Sequence, residues 1–211
     1  MIETIVKGFV IGLLVSAPMG PVNMLCVQRT LNRGRWHGFI TGIGAMFSDV
    51  IYALITLLGM SLAEDLLRKN EMLIQLIGSV VLFLFGYVVF RTNPLKGWTP
   101  SAKAEETYYF RDFISSFFIT FSNVAIIFVF ITLYARFTFT PVTEGSGYLM
   151  AALAAISIGA LVWWFFLSSF ISRLRRHFNR RGLVILNKAV GSILIIISII
   201  GILLSIFGVT F

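Results

Sequence analysis

Six long apolar stretches, separated by short polar gaps, constrain this chain more than any other feature. A helix needs roughly 20 mostly apolar residues to cross a bilayer. Stretches of that kind, which we call spans one to six, cover residues 5–28, 38–62, 72–90, 112–134, 148–172 and 183–207. Only 12% of the residues are charged, about half the fraction of an ordinary water-soluble domain. The pattern predicts an all-α integral membrane protein with six transmembrane helices in one domain, residues 1–211.

Lys and Arg are distributed unevenly between the gaps, and this predicts the orientation. Gaps one, three and five carry twelve of them, while the N-terminal region and the other gaps carry four. Because loops rich in Lys and Arg stay in the cytoplasm, we expect these three gaps to face inward and both termini to face outward. Gly78-Ser79 in span three matches Gly191-Ser192 in span six, which favours an inverted repeat of three plus three helices.

Span one contains a predicted break. Pro18 and Pro21 remove backbone donors in mid-helix, and Gly20 between them allows close approach of the backbone. Asn23 follows with a side-chain amide. Such breaks are tolerated in a membrane where protein or a water-filled cavity satisfies the freed backbone groups. We interpret these four residues as part of a substrate path near the midplane; a packing kink is the alternative.

Asp49 lies near the middle of span two and is the only carboxylate predicted deep within a span. A charge there costs on the order of 3 kcal/mol on insertion scales, so such acids usually have a function. One interpretation is a proton-coupling residue. The other is a carboxylate held structurally by Ser48, Asn23 or Lys188. Asp112 is predicted at the edge of span four.

Two further features of the spans concern packing and gating. Gly38, Gly42 and Ala45 recur on one side of span two, and small residues at such spacing predict close helix packing. Trp163 in span five could form a hydrophobic gate or stack on a cationic substrate. Plain packing is the commoner role for a deep tryptophan.

The sequence argues against several functions because the residues that they require are not found. The single Cys26 excludes an intramolecular disulfide and a CxxC redox pair. Neither His37 nor His177 has a partner in the sequence, so we expect no metal site. No nucleotide-binding motif or intramembrane catalytic pair is found, so we expect no cofactor and no enzyme activity. The net charge of +8 lies mainly in the gaps, where it contacts lipid headgroups rather than nucleic acid.

The region from span one to span two resembles the LysE-type amino-acid exporter family. The resemblance rests on Ala17-Pro18-Met19-Gly20-Pro21-Val22-Asn23, Arg33-Gly34-Arg35, Gly38, Gly42, Gly44 and Asp49. It implies a multi-pass protein of the bacterial inner membrane that exports amino acids or related small metabolites by proton antiport. A membrane channel and a non-catalytic assembly subunit are the alternatives. The oligomeric state is left open, a homodimer included.

Span four departs from the family pattern. The family has Asn-Pro followed by a basic residue, whereas this chain has Asn123-Val124-Ala125. Asn123 remains a candidate for substrate contact, while any contact through the lysine is in doubt. Without the proline, we expect span four to be straighter than span one.

Overall fold

The computed structural model describes residues 1–62, 71–93, 108–174 and 180–206. Parts of gaps two, three and five, and His177 with them, lie outside these ranges. All regular secondary structure in the described residues is helical. The helices are α1 (Ile2–Ser16), α2 (Pro21–Arg33), α3 (Arg35–Leu62), α4 (Glu71–Arg91), α5 (Tyr109–Phe121), α6 (Ile126–Arg136), α7 (Pro141–Glu144), α8 (Ser146–Leu174) and α9 (Arg180–Ile206).

Three of the described helices contain segments long and apolar enough to cross a membrane. These segments are Arg35–Ser61 of α3, Ser146–Arg173 of α8 and Asn187–Ser205 of α9. The number rises to five if α1 with α2, and α5 with α6, each form one bent span. Within α4, Leu76–Arg91 is a shorter apolar helix. The chain is an all-helical, multi-pass membrane protein, and the six-span layout stays a prediction.

Span one is broken where the sequence predicts it. The axes of α1 and α2 differ by 77°. Gly20 is the extended N-cap of α2 and Pro21 is its first residue, a position where a missing N–H costs nothing because it would be unpaired in any case.

Span four is also broken, so the expectation of a straighter helix is wrong. The axes of α5 and α6 differ by 71°. Ser122 ends α5, and its hydroxyl donates to the Phe118 carbonyl at 2.8 Å. The backbone carbonyl of Asn123 accepts a bond from the Ile126 N–H at 3.1 Å. A serine hydroxyl offers the backbone a local alternative to helical bonding, and here the helix ends beside Ser122 without a proline.

The helices pack in pairs with close backbone contact. α1 packs along α8, where a Cβ on Gly12 would lie 2.1 Å from the Ile156 carbonyl oxygen. α4 packs along α9, where a Cβ on Gly191 would lie 2.6 Å from the Phe90 nitrogen. Small residues allow membrane helices to gain van der Waals contact in this way. α3 contacts α2, α5 and α8, and α6 contacts both α3 and α4.

Candidate functional site

The small residues of α3 contact three different helices. A Cβ on Gly38 would lie 1.8 Å from the Thr30 hydroxyl of α2, and one on Gly42 would lie 2.3 Å from the Trp164 ring of α8. Gly44 meets α5 in the same manner, and Ala45 is 1% exposed. These contacts hold α3 against the break in span one on one side and α5 on the other.

The break in span one is held by the amide of Asn23. Its Nδ2 donates to the carbonyl oxygens of Ser16 at 3.2 Å and Pro18 at 2.9 Å. Its Oδ1 accepts a bond from the Trp163 Nε1–H at 3.3 Å. Two carbonyls freed by the break are thereby satisfied inside the protein. Asn23 and Trp163 form a buried pair that supports the shape of the break.

A second amide holds the other side of this break. Asn187 of α9 is 1% exposed. Its Oδ1 accepts from the Met19 N–H at 3.1 Å, and its Nδ2 donates to the carbonyls of Val89 at 2.6 Å and Thr92 at 3.0 Å. One side chain thus joins α9, the span-one break and the end of α4. In the sequence the only signal is a single Asn within an apolar stretch, beside the more conspicuous Lys188.

A cavity of about 450 Å³ lies between the two breaks. Its volume falls in the range typical of small-molecule sites. The breaks contribute Pro18, Gly20, Asn123 and Ala125. The other lining residues are mainly aliphatic or aromatic, and all are uncharged: Val15, Met19, Val81, Leu82, Phe85, Val88, Val89, Thr92, Ile126, Phe128, Val129, Thr132 and Asn187.

The cavity gathers only part of the predicted substrate path. Pro18, Gly20 and Asn123 line it. Pro21 begins α2 next to the cavity wall, and Asn23 and Trp163 are engaged with each other. The prediction of substrate contact therefore remains for Pro18, Gly20 and Asn123. Asn23 and Trp163, which bond to each other, support the shape of the break instead.

Asp49 lies on α3 outside the cavity lining. Its side chain is 3% exposed, and its Oδ1 has no hydrogen-bond partner among the described residues. Ser16, the last residue of α1, lies beside the carboxyl but its hydroxyl forms no well-directed bond. The structural partners that the sequence offers bind elsewhere, since Ser48 donates to the Phe117 carbonyl at 2.7 Å and the Lys188 ammonium lies 5.7 Å from the Phe90 ring centroid.

A second acid, Asp112, lies in the first turn of α5, at the edge of span four as predicted, and it is fully buried. Its Oδ1 lies 3.0 Å from the Arg29 Nε and 3.3 Å from the Arg33 Nη1. Its Oδ2 lies 2.6 Å from the His37 Nδ1. Asp49 is therefore not alone as a buried carboxylate, and His37 has a partner after all. We call these four residues the Asp112 cluster.

Arg29 is the centre of this cluster. Its Nη1 donates to the Thr41 hydroxyl and the Asp112 carbonyl, both at 2.9 Å, and its Nη2 donates to the Ser115 hydroxyl at 2.7 Å. The end of α2, the start of α3 and the start of α5 are joined by this one guanidinium. From the sequence alone, Arg29 and Arg33 are interpreted as basic residues that set the orientation in the membrane. Nothing in the sequence links them to an acid about 80 positions away.

Arg136 at the end of α6 is a further buried cation that the sequence places in an outer gap. It is 8% exposed, and within the described residues its Nε has no hydrogen-bond partner. Gly201 of α9 makes room for it, since a Cβ there would lie 2.2 Å from that nitrogen. The guanidinium is enclosed between α6, α4 and α9.

Two broken apolar spans around an uncharged cavity, with a buried carboxyl behind one break, are the architecture of a membrane transport protein. The chain belongs to the LysE type translocator family, whose profile matches residues 13–206. This confirms the family resemblance and supports a transport function.

One curated relative is named "Putative amino acid efflux protein YcgF" and comes from Bacillus subtilis (strain 168). It is 27% identical over 180 residues, which cover 82% of each chain. No solved structure matches the chain significantly.

Proposed function

We propose that this protein is a secondary exporter that moves amino acids with neutral, apolar side chains out of the bacterial cytoplasm across the inner membrane. The observation that carries the proposal is the cavity between the two helix breaks, whose lining is uncharged and largely apolar. Family membership and the amino acid efflux name of the Bacillus relative support it.

The start of one half-helix supplies polar groups for the substrate. α2 begins at Pro21, and no side chain is bonded to its cap. A helix start carries unpaired N–H groups and a positive partial charge, which favour an anion. A substrate carboxylate would bind there, while Val81, Leu82 and Phe85 of α4 would contact its side chain.

The missing lysine agrees with this substrate class. Ala125 lines the cavity where the family pattern has a basic residue. An acidic side chain would therefore lack a partner, and a basic one would enter a space with no carboxylate among its described lining residues. Desolvating an unpaired charge is costly, so both classes should be disfavoured.

The breaks also support the inverted-repeat layout. They lie in spans one and four, the two that a repeat of three plus three would pair. Under the orientation set by the basic gaps, both termini face outward and the cavity opens alternately to each side.

Coupling to protons is assigned to Asp49. The support is its burial, its unpartnered Oδ1 and its position beside Ser16 at the end of α1. Movement of α1 and α2 during transport would change the surroundings of this carboxyl, so protonation and the state of the break would be linked. A proton entering from outside would then move inward as one substrate moves outward.

Counterflow in proteoliposomes tests the function. Vesicles preloaded with unlabelled leucine should take up labelled leucine saturably, and labelled lysine or glutamate should enter much more slowly. Absence of counterflow for every neutral amino acid would contradict the proposal. A steady ion current at fixed voltage would favour the channel, and neither activity would favour the assembly subunit.

A further inference from the structure

A second groove lies on the surface between α3 and α8, away from the substrate cavity. It encloses about 570 Å³. Arg35 and Phe39 of α3 form one wall, and residues of α8 from Ile158 to Arg173 form the other. It shares no residue with the lining of the cavity between the breaks.

The α8 wall changes from charged to polar to apolar along one helical face. From its cationic end inward it presents Arg173, then Ser169, then Phe166, Val162 and Ile158. These residues are spaced three or four apart, so they share one side of the helix. At 1.5 Å per residue, Ser169 to Ile158 covers about 16 Å, which is close to half of the roughly 30 Å hydrocarbon core. The apolar part of the groove is thus as long as one leaflet.

Both charged lining residues are cations at the same end. Arg35 and Arg173 are exposed, and neither pairs with a carboxylate in the described part of the chain. The Arg35 guanidinium lies 4.9 Å from the Trp36 ring centroid and 5.9 Å from that of Phe165. Stacking of this kind orients the planar guanidinium, whose fork geometry suits a phosphate.

Ser169 supplies an independent sign of a ligand. Its Oγ is buried and has no hydrogen-bond partner among the described residues. Buried hydroxyls are normally paired, and an unpaired one needs an explanation. It lies one turn from Arg173, at the depth where the glycerol ester of a phospholipid would lie below its phosphate.

We propose that this groove binds one anionic phospholipid. The phosphate contacts Arg35 and Arg173, an ester oxygen accepts from Ser169, and one acyl chain lies against Phe166, Val162 and Ile158. Charge complementarity and the leaflet-length apolar wall single out a lipid, since a free phosphate would leave the apolar wall unused. Under the proposed orientation the lipid belongs to the cytoplasmic leaflet, and the site does not depend on which substrate is exported.

Native mass spectrometry of delipidated protein with added phosphatidylglycerol tests the site. We expect one phosphatidylglycerol to bind in preference to phosphatidylcholine. Replacing Arg35 and Arg173 together by Gln should weaken binding about tenfold or more, since charge-assisted bonds are lost. The matched control is Arg91→Gln, which removes an exposed arginine stacked on Tyr87 at the end of α4 and should leave binding unchanged.

Ser169→Ala keeps both arginines of the groove. It therefore tests the site independently if the double arginine variant does not fold. It should reduce phosphatidylglycerol affinity by a few-fold without changing the preference over phosphatidylcholine. Equal loss in Arg91→Gln, equal binding of both lipids, or equal binding of inorganic phosphate would overturn the proposal. So would a lipid-free dimer that dissociates with the same two arginine substitutions, because the groove would then bind a second copy.

Discussion

Asp49 is buried, and Ser16 lies beside its carboxyl. Asn has nearly the same shape but cannot exchange a proton. We therefore expect Asp49→Asn to insert normally and to retain counterflow, yet to show no accumulation above the equilibrium distribution when a proton gradient is imposed. Labelled leucine uptake with and without the gradient measures both quantities.

A suitable control for this variant lies on the same helix. Thr56 is also buried with an unpaired hydroxyl, so Thr56→Val perturbs a comparable environment without touching an acid. It should keep gradient-driven accumulation. If Asp49→Asn still concentrates substrate with unchanged pH dependence, the carboxyl has only a structural role.

In the Asp112 cluster, by contrast, the buried acid stabilises the fold by pairing with arginines. Asp112 is fully buried and neutralises part of the charge of Arg29 and Arg33. Removing one member of a buried pair leaves an uncompensated charge and costs about 3–5 kcal/mol. We expect Asp112→Asn to lower the thermal unfolding temperature in detergent markedly. Glu3→Gln, which breaks the exposed Lys7 pair, should have no measurable effect; equal losses would contradict the assignment.

At this scale, the sequence predicts residues whose environment is set by their own helix. Asp49 and the Pro18–Pro21 pair are recognisable because an acid or a proline in an apolar run conflicts with lipid. Asn187 and Asp112 are not recognisable in this way. Their partners lie up to 168 and 83 positions away, and only the packing of whole helices brings those groups together.

The span-one break depends on Asn187 as much as on its prolines. Asn187→Ala would leave the Met19 N–H and the carbonyls of Val89 and Thr92 without that partner. Unpaired buried groups cost about 1–3 kcal/mol each. We expect lower thermal stability and slower counterflow. The neighbouring Lys188→Ala, which changes an exposed side chain, is the control, and an equally large loss there would remove the special role of Asn187.

The span-four break offers a direct test of the cavity. Ala125 lines it, whereas the adjacent Val124 is 59% exposed and does not. A ring at position 125 fills space and costs about 1–3 kcal/mol for a ligand that needs it, or about 5- to 150-fold in affinity. Ala125→Phe should therefore weaken leucine counterflow more than alanine counterflow. Val124→Phe should change neither, and the reverse ranking would place the substrate elsewhere.

Helices as elements are easier to predict than their ends. The apolar lengths in the sequence give the spans because hydrocarbon thickness fixes a minimum. The break in span four escaped prediction since it has no proline. The Ser122 hydroxyl bonds to the Phe118 carbonyl, and the backbone carbonyl of Asn123 accepts from the Ile126 N–H. Serine and asparagine are also found in straight membrane helices, so their effect depends on the helices around them.

On the scale of the whole molecule, α3 packs against α2, α5 and α8, while α1, α4, α6 and α9 contribute residues to the cavity between the two breaks. The basic gaps and the Asp112 cluster would lie on one side of the membrane in the proposed orientation. Arg136 would then lie toward the other side, where it is buried and where, within the described residues, its Nε has no hydrogen-bond partner. The transport path would therefore run between the Asp112 cluster on one side and this buried arginine on the other.

That orientation can be measured with single cysteines. Cys26 is fully buried, so a Cys26→Ser parent should fold and show no labelling. Tyr108, before α5, is 85% exposed, and Ser146, at the start of α8, is also exposed. We expect Tyr108→Cys to react in intact cells only with a membrane-permeant maleimide, because it lies in basic gap three. Ser146→Cys should react with an impermeant one, since it precedes span five on the outer side. The reverse pattern would invert the protein in the membrane. Labelling of both positions by the impermeant reagent would mean that the segment between residues 108 and 146 does not cross the membrane, which would contradict a crossing by span four.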